Sequence, residues 1–493
     1  MSPERRRWAG ALGLALMFLA LGAYHIDRPG LQSDETLFVH GVWENGTVTQ
    51  FTRVFGWRFP LMQMGYLGAL KSILYQPIFG VFGVSAASVR LPMVLAGAAT
   101  VALTFLLMWR LSGERAAWIS GALLAVDPTF LFTTRCDWGP VAIERLLAVG
   151  GVLLFTQGRL NWGAFLFGLA LWNKSTFLWT LIGLGVGMVL VYRSRLIRVR
   201  PAALGVALLC FSAGAYPWIR YNVKSQGGTA RATARFDAGD LNGKLFQLRS
   251  SLEGSALYGY LIRDGDARPW PRASFTPWLL MIAGVSAALA RHRLALFFMT
   301  VMAAAWLTMA LTYGAGGSSH HVVLLWPWPQ CIIALWAASL GRRYFRVLAA
   351  LCVLGSAGVV MRHYVLIDRY GSLTPWSEAI YPMTARIQAE RPSGIFVADW
   401  GMLEQIILFT RGTLPFEIGF HRADVPPERF AGRPGWIFVS HVDAREAFAG
   451  VNKQWKKVRG FQRIEIAVIK DRQGFPVYQL FRFVPVAGAA SMR

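Results

Sequence analysis

The stretch Leu31-Gln32-Ser33-Asp34-Glu35-Thr36-Leu37-Phe38 comes soon after an uncharged apolar run from Trp8 to Tyr24. That run is close to the length a helix needs to cross a bilayer. Arg5-Arg6-Arg7 precede it, and a basic flank stays in the cytoplasm, so the Asp34-Glu35 pair emerges on the outer side. The run has the charge and apolar core of a signal peptide, without a small-x-small site before His25, and reads as an uncleaved anchor. Two adjacent carboxylates suit a solvated loop as readily as a site. What the rest of the chain brings to the same face decides between them.

The 493 residues are 55% hydrophobic and 15% charged, with a mean hydropathy of +0.41. Soluble domains carry about a quarter charged residues, so the composition is that of a polytopic membrane protein. The net charge of +24 would suit nucleic acid, but most arginines of the apolar part sit in short runs between apolar spans. That is how cytoplasmic loops face anionic lipid, so no nucleic-acid partner is expected. Cys210, Cys331 and Cys352 lie in apolar spans and Cys136 stands alone in a loop, a pattern with no disulfide framework.

Apolar runs predict eleven spans, at 8–24, 89–110, 116–133, 140–157, 162–173, 175–192, 202–219, 275–290, 294–313, 321–341 and 344–362. Arg110, Arg115, Arg159, the run Arg193–Arg200, Arg291, Arg293, Arg342, Arg343 and Arg346 then all fall on one side. The short opposite loops carry only Arg135. This alternation puts the N-terminus inside and the C-terminus outside. The expected architecture is an all-α membrane domain over 1–362, with outer loops at 25–87, 134–139, 220–274 and 314–320. A soluble α/β domain over 363–493 follows. Region 25–87, rich in aromatic residues, suits helices lying in the membrane interface. In the tail, residues 394–398 and 436–440 read as buried strands and Met402–Thr410 and Arg445–Lys456 as helices. Residues 464–470 and 477–483 read as a closing hairpin.

The chemically able residues gather on the outer face: Asp34, Glu35, Arg58, Arg135, Asp137, Glu144, Arg145, Lys174, Arg220, His320 and His321. Ionisable groups at membrane depth are functional candidates. Singly, each has a plainer reading: Glu144 with Arg145 suits a structural pair, Asp127-Pro128 a helix end, and the arginines lipid headgroups. Together they suit one chemistry. A carboxylate deprotonates an acceptor hydroxyl or amine, while Arg, Lys and His hold a phosphate and stabilise its charge as it leaves. A sugar carried on a polyprenyl phosphate is a donor of that kind, and no nucleotide sugar is available outside the cytoplasm.

The acidic pair, Arg58-Phe59-Pro60-Leu61, Ser88-Val89-Arg90-Leu91-Pro92, Asp137, the Lys174 element and the late His-to-Pro segment reaching Pro327 form an ordered set. It resembles that of the protein O-mannosyltransferase and aminoarabinose-transferase family over about residues 8–345. The resemblance implies the C-type glycosyltransferase fold, a polyprenyl-phosphate sugar donor and inversion at the anomeric carbon. It makes Asp34 the catalytic carboxylate, Asp137 a second acidic site residue and Arg58 the contact to the lipid phosphate. Arg58-Phe59 in place of the more usual Lys-Pro, and the His320-His321 pair, depart from the family pattern. Those departures bear on donor and acceptor identity rather than on reaction class.

The sequence thus reads as a glycosyltransferase of a bacterial inner membrane with its site on the periplasmic face. It would move a sugar to a lipid, glycan or protein acceptor, with Glu35 supporting Asp34 and no cofactor required. Arg58, Arg135, Lys174, Arg220, His320, His321 and Glu144 would line the donor site. A divalent ion, were one used, would gather at Asp34, Glu35, Asp137 and the two histidines, although no metal-ligand spacing is present. A secondary transporter running through Glu144, Asp137 and Lys174 is a second reading. It predicts midplane charges and paired half-repeats, whereas the charges here cluster at the outer rim. A non-catalytic partner in glycan assembly is a third, and it would tolerate loss of Asp34.

Overall fold

A computed structural model describes residues 2–43, 46–48, 50–196, 200–263, 274–420 and 426–486. Part of the Arg193–Arg200 run (197–199), part of the 220–274 loop (264–273) and the end of the tail (487–493) lie outside the described residues.

Helix α1 (Pro3–Ala23) starts at Ser2, whose hydroxyl accepts the Arg5 N–H at 3.3 Å. It leads to α2 (Ser33–His40), then to strands β1 (Gln50–Val54), β2 (Trp57–Met64) and β3 (Leu67–Gly68), and to α3 (Leu70–Phe82). Two expectations change here. The acidic stretch is a helix rather than a loop, and between the helices α2 and α3 residues 50–68 form an antiparallel sheet in the order β1-β2-β3. Phe55 and Gly56, with φ of +48° and +83°, close a two-residue hairpin between Val54 and Trp57.

The membrane part continues through α4 (Ala86–Ser112), α5 (Glu114–Ala125), α6 (Pro128–Arg135), α7 (Val141–Thr156), α8 (Leu160–Asn173), α9 (Phe177–Leu196), α10 (Pro201–Gly214) and α11 (Tyr216–Lys224). The short helices α12 (Gly228–Thr233), α13 (Leu241–Glu253) and α14 (Tyr258–Leu261) follow. Then come α15 (Thr276–Leu289), α16 (Arg293–Ala310), α17 (Ser319–Val322), α18 (Trp328–Ser339) and α19 (Arg342–Tyr370). Small residues set the closest contacts. A Cβ on Gly168 would overlap the Phe211 carbonyl and one on Gly214 that of Phe165, so α8 and α10 meet backbone to backbone.

Among the described residues, five helices are long and apolar enough to span a bilayer: α1, α4, α9, α16 and α19. Three bent pairs raise the number to eight if each is one span: α5 with α6 (54°), α10 with α11 (70°), and residues 319–325 with α18 (43°). By that measure the count of eleven is not reached. The three expected spans not reached are α7, α8 and α15, helices of 16, 14 and 14 residues, while the bent pairs carry breaks inside single apolar runs. At the first break Asp127 caps α6, accepting the Phe130 N–H at 2.8 Å and the Gln330 amide at 2.9 Å, so this residue ends one helix and starts another.

Helix α19 carries the chain past residue 362 to Tyr370, where the C-terminal domain begins. There α20 (Ile380–Glu390), β4 (Gly394–Val397), α21 (Leu403–Phe409), β5 (Phe416–Ile418), α22 (Glu428–Ala431), β6 (Trp436–His441), α23 (Lys453–Lys456), β7 (Phe461–Lys470) and β8 (Pro476–Pro485) follow in turn. The sheet order is β5-β4-β6-β8-β7, with β4 parallel to β5 and β6 and with β8 antiparallel to both its neighbours. β5 was not foreseen, and the expected helix over 445–456 reduces to a 3-10 turn at Asp443–Arg445 and α23. Side chains take the amides that helix would need. Glu446 accepts the Gly450 and Asn452 N–H groups at 2.5 and 2.8 Å, and Asp399 accepts that of Ala447 at 2.8 Å.

This domain is docked on the first outer segment. Gln405 of α21 donates to the Leu31 carbonyl at 3.1 Å, Tyr381 to that of Asp27 at 3.0 Å, and the Gly30 N–H to that of Trp376 at 2.7 Å.

Candidate active site

Gln32 caps α2. Its side-chain oxygen accepts the N–H groups of Asp34 and Glu35 at 2.7 and 3.3 Å, and Glu35 accepts the Gln32 N–H at 3.4 Å. This turns the two carboxylates in opposite directions. Glu35 is 1% exposed and gripped by Arg90, Nε to Oε1 at 2.7 Å and Nη2 to Oε2 at 2.9 Å. The same guanidinium donates to the carbonyls of Ile26, Pro29 and Gly30 at 2.9, 2.6 and 3.0 Å. Glu35 is therefore an anchor for the segment.

Asp34 is the one residue of α2 that is not buried. Partial burial, with the negative charge of Glu404 beside it, pushes its carboxyl up to about 6 against the pull of the Gln32 contact. Glu404 comes from α21 of the C-terminal domain, and its carboxylate lies 3.0 Å from Nε2 of the buried His40. Tyr66 and Tyr260 also lie near enough for Asp34 to raise their phenol pKa values, after burial as the main cause. Tyr260 begins an aromatic run into the second outer loop. Its ring is 5.2 Å from Trp138 and 5.7 Å from Trp376. The Trp138 indole donates to His320 Nδ1 at 2.9 Å, and the His320 and His321 rings are 4.2 Å apart.

Asp137 is saturated. Lys71 donates to its carboxylate at 2.6 Å and to its carbonyl at 3.1 Å, while the N–H groups of Val141 and Ala142 reach its other oxygen at 2.8 and 3.0 Å. It caps α7 and holds a buried lysine. Lys71 was missed in the sequence. Its signal is a lone lysine inside Leu70–Phe82, an otherwise apolar helix, and it is 2% exposed.

The cationic candidates divide. Lys174, at the break between α8 and α9, donates to the Gly139 carbonyl at 2.7 Å and keeps two further donors. Arg145 pairs with Glu144 at 2.6 Å and donates to the Trp326 carbonyl at 3.2 Å, so this couple is packed in the bundle. Arg135 donates to the carbonyls of Gly22, Tyr24, His25 and Arg28 and to the Tyr364 hydroxyl, which makes it a backbone clasp. Arg220 is half-buried on α11 and makes no ion pair among the described residues. Arg58 is exposed on β2, its guanidinium 3.9 Å from the Phe51 ring, and shares no hydrogen bond with the Asp34 cluster. Among the described residues no three His, Cys, Asp or Glu side chains are grouped to hold a metal ion.

Behind Lys174 a groove of about 330 Å³ opens between α9, α12 and α16. Ser175, Thr176, Thr233 and Thr308 give it a polar end, and Trp179 and Ile182 an apolar wall.

No protein-family model matches the chain, and no curated protein matches it by sequence. Fourteen chains of solved structures are similar to this one, among them two of one protein. The crystal structure of ArnT from Cupriavidus metallidurans bound to undecaprenyl phosphate matches with a TM-score of 0.62 at 14% identity, over 97% of this chain and 98% of that one. The apo crystal structure of the same protein matches with a TM-score of 0.60 at 14% identity, over 95% and 98%. Matched along nearly its whole length, membrane part and C-terminal domain together, the chain has the ArnT fold.

Proposed function

We propose that the protein is a membrane glycosyltransferase that moves a sugar from a polyprenyl phosphate to an acceptor on the outer face, with Asp34 as the base. The single observation that carries this is Asp34 itself, the one residue of a buried helix that is not buried, with no cation pairing it among the described residues and its carboxyl held at about 6. A carboxylate so poised is mostly ionised at neutral pH yet basic enough to take a proton in the transition state. The ArnT fold, seen with undecaprenyl phosphate bound in its relative, supports the donor class.

In the proposed step, Asp34 takes the proton of an acceptor hydroxyl or amine. The freed lone pair attacks the anomeric carbon from the face opposite the phosphate. The bond from that carbon to the phosphate oxygen breaks, and polyprenyl phosphate leaves with the electron pair. The product is inverted. Lys174 and Arg220 are the phosphate contacts, with the lipid chain in the groove behind Ser175. The Trp138–Tyr260 aromatic run and the His320-His321 pair flank the sugar. Asp137 and Glu35 position rather than react. The outer loops and C-terminal domain face the periplasm of a bacterial inner membrane.

The test is transfer from a purified polyprenyl-phosphate sugar to envelope acceptors by the full-length protein in lipid, with the product anomer read by NMR. Release of polyprenyl phosphate with an inverted product is expected. A retained anomer, or no transfer from any lipid-linked sugar, would overturn it.

A further inference from the structure

Away from Asp34, the C-terminal domain carries a second opening, of about 480 Å³, between the ends of α20 and α21. Gln388, Arg391, Phe409, Thr410, Arg411 and Leu414 form its wall, and no carboxylate lines it. Arg391 and Arg411 each stand at a helix end in left-handed backbone, with φ of +47° and +52°, a conformation uncommon outside glycine. Neither guanidinium is engaged in a hydrogen bond or ion pair among the described residues. Arg386, on the same helix, is paired with Glu390 at 2.5 Å. The carbonyl end of a helix favours one nearby cation. Arg391 and Arg411 stand at the ends of two different helices, each favourable to a cation, and the fold brings both guanidiniums to one cavity.

The location supplies the second observation. Arg411 Nη2 lies 3.9 Å from where a Cβ on Gly83 would sit, and Gly83 is the turn between α3 and the spanning helix α4. Val81 and Phe82, just before that turn, are each 74% exposed. Large apolar side chains at the mouth of a spanning helix belong in the membrane interface, so the cavity opens at headgroup depth. A guanidinium suits bidentate contact with a phosphate, and anionic lipid draws basic groups to this layer.

We infer that Arg391 and Arg411 form a binding site for the phosphate of an anionic lipid headgroup, which holds the C-terminal domain down on the bilayer at the α3–α4 turn. The site is separate from the transfer reaction and is read without it.

The experiment uses the full-length protein in nanodiscs of phosphatidylcholine, alone or doped with phosphatidic acid. Hydrogen exchange is followed over residues 405–414. Phosphatidic acid is expected to slow exchange there, with apparent affinity falling about tenfold for Arg391→Gln or Arg411→Gln. Arg391→Lys/Arg411→Lys keeps the charge and should retain part of the protection, weakening as salt rises. Equal protection in a folded Arg391→Gln/Arg411→Gln protein overturns the site. If that variant does not fold, salt-independent protection in the lysine variant overturns it instead. Inorganic phosphate giving the same protection in pure phosphatidylcholine would show a free-anion site, and it overturns the lipid assignment.

Discussion

The first turn of α2 and the loop before α7 each carry an aspartate, and their surroundings are opposites. Asp137 is enclosed by one lysine and two backbone amides, every oxygen committed. Asp34 has a capping glutamine, a neighbouring carboxylate and a partly exposed side chain. A buried ion pair resists loss of either partner, which suits a strut. A carboxylate crowded by negative charge and without a cation holds a proton more tightly than usual, which suits a base. Which aspartate is the better candidate base is decided by what surrounds it, and both were equally visible as Asp in the sequence.

Removing the base should have the largest effect. Asp34→Asn keeps size and hydrogen bonding, so turnover should fall by about 10²–10⁴-fold with donor binding intact. A folded Asp34→Asn enzyme at near-normal turnover would reverse the two roles. Breaking the strut comes next. Lys71→Met leaves the Asp137 charge buried and alone, at a cost of about 3–5 kcal/mol in stability, read by thermal or denaturant unfolding. Lys71→Met/Asp137→Asn should recover part of that, since Asn still accepts from Val141 and Ala142 without a charge. Unchanged stability in Lys71→Met, with Asp137→Asn folded but inactive, would make Asp137 the reactive group.

Glu404→Gln sharpens the comparison by pH. The Glu404 charge raises the Asp34 pKa, so its removal lowers it. The acidic limb of kcat/KM, expected near pH 6 from Asp34, should move to lower pH, with more base ionised at pH 5. An unmoved limb would mean another group sets it. The smallest effect belongs to Arg58→Ala. An exposed guanidinium resting on Phe51 should change the donor KM by no more than about twofold, within the roughly 0.5 kcal/mol usual for surface positions. A large loss of donor affinity would return the phosphate contact to the hairpin.

Much of the site was legible because the chain's charges are sparse. Asp34-Glu35, Asp137, Lys174 and His320-His321 stand out against apolar runs, and the fold does bring them to one end. The separation of Asp34 from Glu35 was legible only as a guess. It depends on Gln32 as a cap and on Arg90, 55 residues along the chain. Lys71 was hidden by its setting, since a lysine in an interfacial helix ordinarily reaches for water. Glu404 was out of reach altogether, because only the docking of α21 on α2 carries it to Asp34. The hairpin at Phe55-Gly56 was misread because its strands do not alternate apolar and polar residues, and only the positive φ at Phe55 and Gly56 gives the turn away. Arg58 drew attention by motif spacing, which carries no information about where the β2 side chains point.

One consequence concerns how the chain can drift in evolution. Arg90 and Arg135 hold the connection from α1 to α2 almost wholly by main-chain oxygens, those of Gly22, Tyr24, His25, Ile26, Arg28, Pro29 and Gly30. A carbonyl is the same whatever side chain it carries. This clasp therefore constrains the path of residues 22–30 and leaves their identities largely open, while fixing its two arginines. Relatives can diverge widely in the lead-in to the acidic pair and still deliver Asp34 to the same place, which is how a catalytic geometry outlasts the sequence similarity that would reveal it.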